Sequence, residues 1–104
     1  MLNQQAEAKK RREFIRWIIL LALDNARPIG CYEELVLLAT QGYYQDATVL
    51  ELRRELDYLH DRKLVELKKE PTGRWFCDIT RYGVDVREYT VDCDPGIARP
   101  AVYS

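Results

Sequence analysis

Apolar residues in this chain follow two rhythms. Through the N-terminal half they recur every three or four positions, the spacing that lines one face of a helix. Phe14, Trp17, Ile18, Leu21 and Ala22 keep that spacing and predict a helix over residues 13–26. Ile15, Ile19, Leu20 and Leu23 make the same helix apolar on its other sides. Such a helix is expected to be covered on several faces, by its own domain, by a second copy, or by both. Arg27-Pro28-Ile29-Gly30 breaks it, because proline and glycine interrupt the helical ladder. A second helix is expected over residues 32–41, with Leu35, Val36, Leu38 and Ala39 as its buried face and Gly42 as its stop. For a third, Asp46 is the expected cap, accepting a hydrogen bond from a free backbone N–H of the first turn. Its stripe is Val49, Leu52, Leu56 and Leu59, and it ends near residues 61–63. The outward set is then Ala47, Leu50, Arg54, Asp57, Tyr58 and Asp61.

The second rhythm is alternation. Leu64-Val65-Glu66-Leu67-Lys68-Lys69 predicts a strand, Pro71-Thr72-Gly73 a turn, and Trp75-Phe76-Cys77-Asp78-Ile79 the returning strand. Of Trp75 and Phe76, one is expected to point inward and the other to lie on the surface. Thr80 is the expected cap of a short helix over residues 81–88. Two prolines and a glycine within residues 93–100 predict an extended or docked tail. The fold class is therefore α+β, mainly α with a small β-hairpin: three helices, a two-stranded hairpin, a short C-terminal helix and a tail. The expected boundaries are a flexible basic N-terminal arm over residues 1–12, one domain over residues 13–88 and an extended tail over residues 89–104.

Composition agrees with one small domain. The chain has 104 residues, 47% hydrophobic and 32% charged, enough for a modest core without metal or disulfide staples. A net charge of −1 gives the whole molecule no pull toward nucleic acid, so any such binding must rest on local charge. Local charge is uneven. Lys9, Lys10, Arg11, Arg12 and Arg16 outnumber Glu7 and Glu13 at the N-terminus, while Asp78, Asp85, Glu88, Asp92 and Asp94 outnumber Arg81, Arg87 and Arg99 beyond Cys77. The apolar run from Ile18 to Leu23 is too short for a membrane span and is bracketed by Arg16 and Asp24. No membrane contact and no secretory leader are expected. Cys31, Cys77 and Cys93 are odd in number and lack a C-x-x-C pair, so neither a zinc site nor a disulfide framework is expected; free thiols in a reducing cytoplasm are. His60 is the single histidine and has no nucleophile marked out beside it. No enzyme activity, metal or cofactor is expected.

The run Leu52-Arg53-Arg54-Glu55-Leu56-Asp57-Tyr58-Leu59-His60-Asp61-Arg62-Lys63-Leu64-Val65-Glu66-Leu67 resembles the join of recognition helix and wing in the ArsR, MarR and PadR-like families. Ile79-Thr80-Arg81-Tyr82-Gly83 resembles the element that closes the wing there. The closing Asp94-Pro95-Gly96-Ile97-Ala98-Arg99-Pro100 resembles tails of small winged-helix proteins of Mu-like phages. The resemblance implies a winged helix-turn-helix that binds double-stranded DNA as a homodimeric transcriptional regulator. On that reading Thr48, Arg53 and Arg54 contact DNA from the third helix, and Lys68, Lys69 and Arg74 hold flanking backbone from the wing. Phe14, Ile15, Trp17 and Ile19 form the expected dimer interface. The alternative is a winged helix used as a protein–protein interaction module in phage assembly or as an adaptor. In its favour are the near-neutral charge, Asp57 and Asp61 on the third helix, and the Pro-Gly tail.

Overall fold

The computed structural model describes residues 4–102. Its elements run α1 Gln4–Asn25, β1 Cys31–Tyr32, α2 Glu33–Gln41, α3 Val49–Asp61, β2 Val65–Lys69, β3 Trp75–Ile79 and α4 Arg81–Arg87. Four helices thus accompany a three-stranded antiparallel sheet in the order β1-β3-β2. The hairpin is in simple register, from Val65 opposite Ile79 to Lys69 opposite Trp75. Strand β1, which periodicity did not reveal, adds Cys31 opposite Cys77 and Tyr32 opposite Phe76. Two residues are too few to show alternation. Just before β1, Gly30 has a φ of +84°, and a Cβ there would come within 2.7 Å of the Cys77 carbonyl oxygen, so glycine allows this close approach to β3.

Helix α1 starts well before the expected residue 13. Residues 4–12 contain neither glycine nor proline and are mostly good helix formers, so the helix continues through what was expected to be a flexible arm. Arg11 fastens this stretch to α3 through Glu51 at 2.7 Å and to the loop before α3 through Asp46 at 3.0 Å. Asp46 is consequently not the cap of α3. Thr48 is, its hydroxyl accepting from the Glu51 N–H at 3.1 Å. Thr80 caps α4 as expected, accepting from Gly83 N–H at 3.0 Å.

The core gathers around α1. Ile15, Ile19, Leu20 and Leu23 are fully buried, and so are Val36, Leu52, Leu56, Leu59 and Cys77, with Val65 at 1%. This corrects the expected dimer interface: Ile15 and Ile19 have no exposed surface, and Trp17 retains 5%. The apolar sides of α1 are satisfied by α2, α3, α4 and β3 of the same chain. Phe14 is half-buried, edge-on to Tyr43 and Tyr44. The buried face of α2 is rotated from the expected one. Val36 and Thr40 point inward with Glu33, whereas Leu35 and Leu38 are 60% and 63% exposed. On α3, Val49 leaves the predicted stripe at 41% exposed, and Ala47, expected outside, is buried.

The segment after α4 docks. Ala98 N–H donates to the Glu13 carbonyl at 3.1 Å. Arg99 donates to the carbonyls of Val86 and Val91. The Arg16 guanidinium donates to the Gly96 carbonyl at 2.7 Å while bonding buried Glu55 at 2.7 Å and lying over the Tyr58 ring. Among the described residues no helix is long and apolar enough to cross a membrane, and no three His, Cys, Asp or Glu side chains cluster as metal ligands would.

Candidate interaction surface

The six residues expected to contact DNA lie on α3 and the β2–β3 hairpin, and the fold employs four of them internally. Arg53 sits on the α2 side of α3. Its Nε donates to Glu33 Oε1 at 2.7 Å, and its Nη2 donates to Glu33 Oε2 and to the Gly73 carbonyl. Its guanidinium lies 4.7 Å from the centroid of the Trp75 ring. Glu33 is itself buried and also accepts the Trp75 N–H at 3.0 Å. The first residue of α2, the middle of α3 and the hairpin are thus tied at one carboxylate. Bonding to Glu33 pushes the Arg53 pKa up. Releasing Arg53 to a base edge would leave a buried carboxylate without its cation, which is strongly unfavourable.

The hairpin cations are similarly occupied, more loosely. Arg74 pairs with Glu34 at 3.1 Å and covers the Tyr32 ring, and it holds the Glu34 carboxyl below its ordinary range. Lys69 pairs with Asp57 at 3.1 Å and lies over Trp75 from the other strand. Trp75 is therefore half-buried between two cations, and Phe76 packs edge-on to Tyr32; neither ring is simply in or out. Thr48 is engaged as the α3 cap. Arg54 and Lys68 differ: both are exposed and form no ion pair with any described residue.

Leu50 at the start of α3 is outward as the helical period predicts, 66% exposed. Leu35 and Leu38 on α2 and Val49 on α3, which were expected inside, are exposed as well. Leu50 and Arg54 are four residues apart on α3 and so neighbours on its outer face. The amphipathic signal of α2 was too weak to orient it, because its nine residues include five of Leu, Val or Ala spread around the helix. The buried Glu33 would have been the usable clue, had its partner Arg53 been known. His60, exposed at the end of α3, lines a shallow open depression with Lys63, Val65, Glu66 and Thr80.

Comparison of the chain with protein-family models, with curated proteins and with solved structures returned no match.

Proposed function

We propose that this chain is a winged-helix module that binds a protein partner through the outer side of α2 and the first turns of α3, and that the partner presents an apolar segment carrying carboxylates. The helix order, the hairpin after α3 and the short strand before α2 support the winged-helix reading. One observation carries the function: the first turn of α3 exposes Val49 and Leu50, and α2 exposes Leu35 and Leu38, while Arg53, Lys69 and Arg74 are paired with Glu33, Asp57 and Glu34. A groove-reading helix needs polar donors near its start. Leucines gain instead from an apolar partner, at about 25 cal/mol per Å² removed from water. The uncompensated charge next to Leu50 is Arg54, which fits a carboxylate on the partner.

Selecting a random displayed-peptide library on the purified chain is expected to enrich segments that combine large apolar residues with Asp or Glu. Leu50→Asp should weaken the selected peptides at least tenfold and leave Tm unchanged. Selection of basic peptides, or peptides that bind Leu50→Asp equally well, overturns the proposal. DNA binding is the second reading, supported by the unpaired Arg54 and Lys68 and by exposed Lys9, Lys10 and Arg12 on α1. It requires random duplex to bind at ~50 mM salt and to be released steeply by ~200 mM.

A further inference from the structure

Two of the three thiols, far apart in sequence, meet on one rung of the sheet. Cys31 of β1 is the antiparallel register partner of Cys77 of β3. Directly opposed residues in such a pair have Cα atoms about 4.5–5.5 Å apart, inside the about 4.4–6.8 Å that a disulfide spans. Cβ atoms of directly opposed residues are generally about 4.5–5.5 Å apart, against the about 3.5–4.5 Å of a disulfide, so a small approach closes the bond. Cys77 is fully buried and Cys31 is half-buried, which makes Cys31 the more open residue of the pair. Cys93 lies outside the sheet, beyond α4.

We propose that Cys31 and Cys77 are a disulfide-forming pair that staples β1, and with it the start of α2, to the hairpin when the chain meets a low-molecular-weight disulfide. In the first step Cys31 Sγ, as thiolate, attacks the small disulfide. Its S–S bond breaks, a mixed disulfide forms on Cys31, and one thiol departs with the proton that Cys31 gave up. In the second step Cys77 Sγ attacks Cys31 Sγ, the mixed disulfide breaks, and a second thiol departs with the Cys77 proton. Two cysteine thiols are oxidised and one external disulfide is reduced to two thiols.

Burial governs the rate. It pushes the Cys77 thiol up to about 12, with the nearby Cys31 sulfur adding to the effect, and it raises Cys31, which Asp78 raises further. Thiolates are scarce in this site, so both closure and reduction are slow. The closed loop runs from residue 31 to residue 77 and encloses α2 and α3. It joins the strand preceding Glu33 to the strand whose Trp75 N–H Glu33 accepts.

The test incubates the folded full chain with oxidised glutathione and maps its peptides by mass. The expected product has lost two hydrogens, carries a Cys31–Cys77 link, and melts higher than the reduced chain by ~10 °C, as a long-loop disulfide in a domain of this size should. Cys93→Ser is expected to form the same link, and Cys31→Ser to form none. A Cys31 left as the glutathione adduct overturns the inference. So does a link that includes Cys93, or an oxidised chain that melts no higher than the reduced one.

Discussion

Arg53 and Arg54 are adjacent in sequence and opposite in circumstance. Arg53 is held by Glu33, by the Gly73 carbonyl and by the Trp75 ring, whereas Arg54 faces water. Arg53→Ala is expected to cost about 3 kcal/mol, because it strands the Glu33 carboxylate under the hairpin; Arg54→Ala should fall within about 0.5 kcal/mol of the parent. Urea denaturation of the two variants checks this, and equal costs would contradict the assignment of Arg53 to the fold. Gly83 is a second residue decided by packing. A Cβ there would run into the Leu64 carbonyl and the Ile79 side chain, so Gly83→Ala should destabilise by about 1–3 kcal/mol despite its helical position. A gain in Tm, as expected of an ordinary helix site, would contradict the close approach of α4 to Leu64 and the end of β3.

At the scale of elements, the α1–α3 junction joins a long helix to a helix start. Arg11 bonds both Glu51 and Asp46, and Thr48 caps the turn between them. Thr48→Ala is expected to cost about 1 kcal/mol through the lost cap, and Asp46→Asn less, because Asp46 is an exposed ion-pair partner. Arg11 holds the Asp46 carboxyl below its ordinary range. A carboxyl depressed in the folded state contributes stability above its unfolded pKa and loses it as pH falls through the folded value. Asp46→Asn should therefore differ from the parent at neutral pH and converge with it in acid; a difference that persists at low pH would reject the pairing. Arg11→Ala should speed amide exchange over residues 5–10, where α1 has little other support.

At the scale of the molecule, the tail belongs to the domain. Arg16 lies at the meeting point of α1, α3 and the tail, bonded to Glu55 and Gly96 and stacked on Tyr58. Val91, Cys93 and Ile97 pack against the core. A chain ending at Thr90 loses the Gly96 carbonyl and that apolar cover. It is expected to be less stable by about 2 kcal/mol, a fall in Tm of ~10 °C. An unchanged Tm would mean that the tail is only laid on the surface.

Much of the architecture was legible in the residues themselves. Leu52, Leu56 and Leu59 kept a helical period, the hairpin kept an alternating one, and Thr80 stood where a cap belongs, because these signals are local and their partners lie within a few residues. The candidate surface was legible only in part: Arg54 and Lys68 are exposed and pair with no described residue, but Arg53, Lys69, Arg74 and Thr48 are committed elsewhere, and Leu35, Leu38 and Val49 were expected inside. Those assignments depend on how α2 is rotated against α3 and where the hairpin folds back. That rotation is set by Glu33 meeting Arg53 and the Trp75 N–H across the fold. Local pattern determined which elements form and where most of them start and stop. Tertiary contact decided which faces they show, since a charge or a leucine is spent or left over only once its neighbours from distant sequence have arrived.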